Sequence, residues 1–134
     1  MNYWLVKTEP ESYAWQQFVK EGSAIWDGVR NYQACAYLKK MKTGDMVLFY
    51  HSGKEKSIAG VARVSKEAFP DPSSDDSRWV AVMLAPERAF KNHVTLQQIK
   101  EKIKLKDVLL LRQSRLSVMP LTPEQFDEMC ETGQ

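Results

Sequence analysis

A run of alternating residues near the middle of the chain limits the fold most strongly. Residues 46–51 read MVLFYH, so that both alternating sets of side chains are largely apolar. Successive side chains of a strand point to opposite faces, and this run therefore predicts a strand that is covered on both faces. The polar residues 52–57 and the apolar residues 58–65 predict a turn and a returning strand. Gly60 in that strand marks a bulge, a bend or a close backbone approach.

The other predicted elements alternate between strands and helices without the regular order of a parallel sheet. Further strands are predicted at residues 3–7, 79–85 and 115–118. Four helices are predicted, with N-caps at Ser12, Asn31, Thr95 and Thr122. The first three are predicted to end near Gly22, Met41 and Ile103, respectively. Residues 25–30 are predicted to be irregular and residues 70–77 to form a mobile loop. About five short strands with helices around them favour one α+β domain over residues 1–134, with a small mixed sheet curled into a barrel.

Composition supports a folded domain and excludes several classes of protein. Hydrophobic residues make up 43% of the 134 residues, enough for a substantial core. No apolar run approaches the roughly 20 residues that span a bilayer, and the first residues do not resemble a signal peptide, so we expect a cytoplasmic protein that does not bind membranes. Cys35 and Cys130 stand far apart without a zinc-binding pattern, so we expect buried thiols, no metal and no cofactor.

Catalytic motifs are absent from the sequence. It has no glycine-rich phosphate-binding loop and no G-x-S-x-G elbow, and His51 and His93 are its only histidines. His51, at the end of a predicted strand, is expected to be a polar residue at the rim of a site. Glu9 and Asp27 offer carboxylates, but their spacing does not pair them. A binding module is therefore favoured over an enzyme.

One segment has the composition of a base-binding site. Residues 26–32, WDGVRNY, combine an aromatic face, a glycine, a cation and an amide within irregular structure. A single extruded base is read by such groups, because the aromatic face stacks on the base while amide and backbone groups contact its edge. The alternative is a buried Trp26 beside a tight turn, with Asn31 acting only as a helix cap.

Six blocks of the sequence, in order, resemble the EVE domain. They are YWLVKTEP (3–10), WDGVRNYQA (26–34), FYHS (49–52), IAG (58–60), AFPD (68–71) and RQSRLSVMPL (112–121). The EVE domain belongs to the PUA-like superfamily, which includes the thymocyte nuclear protein family and is structurally akin to YTH domains. The resemblance implies a PUA-like β-barrel with surrounding helices. It also implies non-catalytic recognition of modified bases, such as 5-methylcytosine, in DNA or RNA.

The resemblance also assigns roles to residues by matching position. Trp26 is expected to form a pocket wall, with Asn31 and the backbone of Val29 near the base edge. The remaining residues expected around the base are Tyr50, His51, Ser52, Arg115, Leu116, Ser117, Lys7 and Glu9. Each has a structural alternative: for example, Glu9 could pair with Arg30. The loop after residue 71 is shorter here than in eukaryotic members, so backbone contacts made by that loop are not expected to transfer.

Local charge predicts where a phosphate backbone lies. The formal net charge is only +2, but residues 87–115 carry eight basic and three acidic residues. The cations expected to contact the backbone are Arg30, Lys100, Lys102, Lys104, Lys106 and Arg112. The alternative is that the lysine-rich helix in this region is an ordinary solvated face.

Two other functions compete with a base reader. One is an enzyme that modifies a nucleobase or cleaves its glycosidic bond, with Glu9 or Asp27 as the base in the same pocket, its pKa raised by burial against Trp26. The other is a protein-interaction module whose docking surface is the acidic C-terminal helix, with Glu124, Asp127, Glu128 and Glu131.

Overall fold

Six strands form one mixed sheet in the computed structural model, which describes all residues from 1 to 134. The strands are β1 (Tyr3–Thr8), β2 (Ala24–Trp26), β3 (Met46–His51), β4 (Ser57–Pro70), β5 (Val80–Thr95) and β6 (Val118–Leu121). Their order across the sheet is β2-β5-β4-β3-β1-β6. Only β1 and β3 run parallel, and every other neighbouring pair is antiparallel.

The α+β class and the mixed sheet are confirmed, but the sheet is open and has six strands. The outer strands β2 and β6 are not paired with each other. They contain three and four residues. Such short edges carry few backbone groups for a closing ladder. The strand that was not predicted is β2, which pairs with β5. Ile25 and Trp26 of β2 belong to the segment that was predicted to be irregular.

The central strand β3 has both faces covered, as its sequence predicts. Leu48 and Phe49 point to opposite faces and both are completely buried. β4 returns beside β3 as a hairpin. Near Gly60 its register shifts both in the pairing with β3 and in the pairing with β5. A Cβ atom at Gly60 would lie 2.6 Å from the carbonyl oxygen of Arg88. Gly60 therefore marks both a bulge and a close backbone approach.

The long strands β4 and β5 extend well beyond their predicted limits. They contain 14 and 16 residues, whereas the sequence predicts strands at residues 58–65 and 79–85. Their outer parts are mainly exposed and polar, and their pairing shifts register at several places. Register shifts interrupt the alternation of side chains, and exposure removes the apolar signal. β4 also includes Pro70, which was predicted to begin a mobile loop.

Five α-helices pack around the sheet. They are α1 (Trp15–Glu21), α2 (Tyr32–Lys40), α3 (Leu96–Glu101), α4 (Leu109–Arg112) and α5 (Pro123–Gly133), and a 3₁₀ turn spans Ile103–Leu105. The predicted caps Asn31, Thr95 and Thr122 each accept a hydrogen bond from a backbone N–H of the first turn. Phe126 and Met129 bury the inner face of α5, and both cysteines are buried free thiols, as predicted. No helix has the length and apolar character needed to cross a membrane.

Two predicted boundaries are wrong for identifiable reasons. α1 begins at Trp15 rather than next to Ser12, because the N–H of Ser12 bonds the Glu9 carbonyl in a preceding turn. The last strand begins at Val118 rather than Arg115, because a turn closes between Gln113 and Leu116. The strand then runs through a proline, which an edge strand tolerates because one side of it makes no ladder.

Candidate functional site

A cavity lies beside the end of β1, between α1 and the segment that follows β2. Its volume is about 650 Å³, within the range of ligand-binding pockets in proteins. Its lining comes from three stretches of chain and one residue before β6: Lys7, Thr8, Ser12, Tyr13, Glu21, Ser23, Ala24, Ile25, Trp26, Asp27, Gly28, Val29, Arg30, Asn31 and Ser117. We call it the main cavity. It brings together Lys7, Trp26, Val29, Asn31 and Ser117 of the predicted base pocket.

Trp26 belongs both to the main cavity and to the core. β2 places it opposite Val82 of β5. Its ring makes T-shaped contacts with Phe49 and Tyr13, with ring centroids 5.6 and 6.4 Å apart. Only 9% of the residue is exposed. Packing on two sides fixes the orientation of the indole, which suits a rigid wall for a flat ligand.

A buried carboxylate holds the segment after Trp26 in place. Asp71 Oδ2 accepts hydrogen bonds from the backbone N–H of Gly28 and from Arg30 Nη1, both at 2.9 Å. Its Oδ1 accepts from the N–H and the hydroxyl of Ser73, at 2.7 and 2.6 Å. Burial alone raises the pKa of Asp71, but the hydrogen bonds from Ser73, Arg30 and Gly28 outweigh it and hold the pKa well below its usual range. The carboxylate therefore stays ionised.

The cation of the segment faces this carboxylate. Arg30 also donates to Ser73 Oγ at 3.0 Å and to the Val29 carbonyl at 3.1 Å. It lies 5.5 Å from the ring centre of Trp79. Arg30 therefore pairs with Asp71 and not with Glu9. About 39% of its side chain remains exposed, and a phosphate contact by Arg30 stays a prediction.

Asn31 caps α2 and also lines the main cavity. Its Oδ1 accepts from the N–H of Ala34 at 2.9 Å and caps α2. The side-chain Nδ2 donates to no protein atom, and the residue is exposed at the edge of the main cavity. The same amide can thus cap the helix with its oxygen and donate to a ligand with its nitrogen.

The opposite side of the main cavity holds a pair that the sequence did not reveal. The hydroxyl of Tyr13 donates to Glu21 Oε1 at 2.5 Å, and Gln17 donates to the other oxygen at 3.2 Å. The hydrogen bond from Tyr13 lowers the pKa of Glu21, while burial and the Glu21 carboxylate raise the pKa of Tyr13. Glu21 is therefore a charged acceptor at the cavity wall. No local pattern links Tyr13, which precedes α1, to Glu21 at the end of that helix.

Lys7 separates the main cavity from a second one of about 260 Å³. Its Nζ donates to the Ser114 carbonyl at 2.6 Å, and burial lowers its pKa. The second cavity is lined by Lys7, Tyr50, Ser52, Gly53, Lys56, Leu96, Leu110 and Ser114. Tyr50 and Ser52 thus lie in this cavity and not opposite Trp26. Burial raises the pKa of Tyr50 to about 12, so its hydroxyl stays protonated.

The remaining residues of the predicted pocket lie outside both cavities. His51 is buried, with Nε2 accepting from the N–H of Trp15, and is not a rim residue. Leu116 is part of the core, whereas Arg115 and Glu9 are exposed. Strand alternation explains His51: it points to the face opposite Tyr50, toward α1.

The predicted backbone-binding cations do not share one helix. Lys100 lies on α3 and lines a third cavity of about 330 Å³. Lys102 and Lys104, beyond the end of α3, lie 3.5 and 3.7 Å from the carboxylate of Glu128. Lys106 and Arg112 are exposed, and Nη2 of Arg112 lies 2.7 Å from Oδ1 of Asp107. The helix ends at Glu101 because Lys102 takes an extended conformation.

Neither carboxylate of the enzyme hypothesis is buried. Asp27 lines the main cavity but is exposed, and Glu9 is exposed outside it. The burial against Trp26 that this hypothesis requires is therefore absent. No group of three or more histidine, cysteine, aspartate or glutamate side chains comes together in a way that could hold a metal ion.

The α+β fold places the main cavity, with Trp26 in its wall, beside the first strand. The chain belongs to the EVE domain family, whose model matches residues 2–132. It is similar to mouse thymocyte nuclear protein 1, with 38% identity over 94% of this chain and 71% of the relative.

Solved structures have the same fold. A protein from Rhodopseudomonas palustris superposes with a TM-score of 0.95 and is 38% identical, covering 99% of this chain and 93% of that one. The human THYN1 protein, in a crystal structure in complex with 5-methylcytosine containing DNA, superposes with a TM-score of 0.88 and is 33% identical, covering 100% of this chain and 98% of that one.

Proposed function

We propose that this chain is a non-catalytic reader that binds a modified nucleobase, 5-methylcytosine or a relative of it, flipped out of DNA or RNA into the main cavity. The observation that carries the proposal is the cavity beside Trp26, in whose wall Gly28 and Arg30 are held by hydrogen bonds to Asp71. The complex of the related human protein with methylated DNA supports it.

The lining offers the contacts that a cytosine ring needs. An aromatic face such as that of Trp26 contributes about 1–3 kcal/mol by stacking on a base. The free Nδ2 of Asn31 is a donor for a ring nitrogen or carbonyl. The carboxylate of Glu21 is an acceptor for the exocyclic amine, the contact that acidic side chains make with cytosine. Flipping a base costs a few kcal/mol, which these contacts must offset.

Binding to short labelled single strands tests the proposal directly. We expect a strand with one 5-methylcytosine to bind more tightly than the same strand with cytosine, measured by fluorescence anisotropy. Asn31→Ser keeps an N-cap of similar strength but removes the amide donor. Trp26→Phe keeps an aromatic core residue but reduces the stacking surface. Both variants should bring the ratio of the two affinities toward one, while the salt dependence stays unchanged, because neither change removes a phosphate contact.

The control is Gln33→Ser, which removes an exposed amide on α2 that does not line the main cavity. It should keep the wild-type preference. Equal binding of strands with modified and unmodified bases by the wild-type protein would contradict the proposal. Mass spectrometry after long incubation should recover the methylated strand unchanged, and conversion of its base would contradict the absence of catalysis.

A further inference from the structure

Two further cavities follow the main cavity along the surface, each sharing wall residues with the one before it. Lys7 belongs to the walls of both the main and the second cavity. Lys56 and Leu96 belong to both the second and the third. We call the second and third cavities together the basic groove. Its walls carry four cations, which are Lys7, Lys54, Lys56 and Lys100.

Three of these cations are free to bind an anion. Lys54, Lys56 and Lys100 are exposed, and none lies within 4.0 Å of a carboxylate, whereas Lys102 and Lys104 both face Glu128. The one acidic residue lining the basic groove is Glu55, whose Oε2 lies 3.2 Å from Nδ1 of His51. The groove therefore carries an excess of positive charge.

The backbone of the groove is held in an unusual conformation at its centre. Lys56 has a φ of +44° and is the only residue other than glycine with a positive φ. Its carbonyl accepts from the N–H of Leu96 at 2.8 Å, which ties the turn before β4 to the start of α3. Such a conformation persists only where the surrounding structure holds it, and it is concentrated at ligand-binding positions. The hydroxyls of Tyr50, Ser52 and Ser114 line the same stretch.

We propose that the nucleic-acid strand next to the flipped base runs along the basic groove, with its phosphates contacting Lys56, Lys54 and Lys100. This inference rests on the proposed function, because it takes the main cavity as the position of the base. A groove of unpaired cations leading from a base pocket is the arrangement that binds a single-stranded backbone without reading its sequence. It also moves the phosphate contacts away from Lys102 and Lys104, whose charges are offset by Glu128.

The test compares two triple variants with the same change in charge. One removes the groove cations as Lys54→Gln, Lys56→Gln and Lys100→Gln. The other, which we call the rim variant, removes three further cations that the sequence predicts to contact the backbone, as Lys102→Gln, Lys104→Gln and Lys106→Gln. Affinities for methylated and unmethylated single strands are measured at several salt concentrations. Each lost phosphate contact should reduce the slope of log K against log salt by about 0.7, so the groove variant should lose about 2 in slope.

The groove variant should weaken both strands by the same factor and keep the wild-type preference for the methylated one. The rim variant should retain nearly the wild-type slope. A rim variant that loses as much slope as the groove variant, or a groove variant that loses none, overturns the inference. If the wild-type protein binds both strands equally, the proposed function fails, yet the two slopes still decide the path of the backbone. Absence of binding to any strand overturns both.

Discussion

Asp71 accepts four hydrogen bonds, and two of them hold Gly28 and Arg30 in the wall of the main cavity. Asp71→Asn should destabilise the fold by about 2–3 kcal/mol at pH 7, because an amide cannot accept from all four donors and leaves Arg30 without its counter-charge. It should also weaken base discrimination, since Gly28 and Arg30 lose their anchor. Urea unfolding at pH 7 measures the first effect. Asp75→Asn, in the same loop but exposed and without a hydrogen-bonding or ionic partner, should change stability by less than about 0.5 kcal/mol.

The same contacts make part of the stability depend on pH. The pKa of Asp71 is depressed in the folded protein, whereas an aspartate in the unfolded chain has a pKa of about 3.9. The contribution of the carboxylate is therefore fully present above about pH 4 and is lost as the pH falls toward the folded value. The difference in unfolding free energy between wild type and Asp71→Asn should shrink below pH 4. A difference that stays constant down to pH 2 would contradict this account.

The sequence reveals residues whose partners are local and hides those whose partners are distant. Asn31 is predicted as a cap because the N–H that donates to it, that of Ala34, lies only three residues further along the chain. Asp71 is missed because its partner Gly28 lies 43 positions away. The family resemblance supplies Trp26 and Ser117 for the cavity by position. It does not supply Tyr13 or Glu21, which no quoted motif contains.

Helix α1 depends on a side chain from another element for its start. Ala14 gives no side-chain cap, and the N–H of Trp15 donates instead to His51 Nε2 at 3.1 Å. Nε2 must be unprotonated to accept this bond. Burial lowers the pKa of His51, and the repulsion from His93 adds to this, while Glu55 opposes both. The neutral imidazole is thus the form that the fold favours.

The fold should therefore weaken as His51 is protonated. Because the folded pKa lies below the unfolded value of about 6.5, the contribution is complete above pH 6.5 and is lost as the pH falls through the folded pKa. Wild-type melting temperatures should fall between pH 7 and pH 5. His51→Gln should be less stable than wild type at pH 7 but should lose less on acidification. His93→Gln, which removes an exposed histidine, should show a fall in melting temperature similar to that of wild type. If its melting temperature instead depends on pH as little as that of His51→Gln, the effect belongs to His93.

Elements are predicted well where a local signal dominates and poorly where tertiary structure does. The capping boxes of α3 and α5 appear in the sequence because cap and partner are three residues apart. β2 has no such signal: its three residues form a strand only because β5 offers a partner. The outer halves of β4 and β5 also lack a sequence signal, since each is mainly exposed and polar and pairs with the apolar half of the other strand.

The cavity and the core of the molecule share the same side chains. Trp26 packs against Phe49, which also contacts Trp15 and Phe18 in one buried aromatic group. A Cβ atom at Gly60 would lie 2.6 Å from the ring of Trp15, so no free space separates this group from the sheet. A ligand that stacks on Trp26 thus contacts a group continuous with the core. Occupation of the main cavity should stabilise the whole domain rather than one loop.

A panel of modified nucleosides screened by thermal unfolding follows from this continuity and identifies the preferred base. A nucleoside present at 100 times its Kd should stabilise the folded state by about 2.7 kcal/mol. For a domain of this size that corresponds to a rise in melting temperature of roughly 8–10 °C. The rise should be largest for the modification that the cavity fits best, and should fall in Asn31→Ser. The variant without the groove cations Lys54, Lys56 and Lys100 should keep it, because a nucleoside has no phosphate. A panel that leaves the melting temperature unchanged at millimolar concentration would contradict the binding of a nucleoside in the main cavity. A rise that Asn31→Ser and Trp26→Phe both retain would place the ligand outside it.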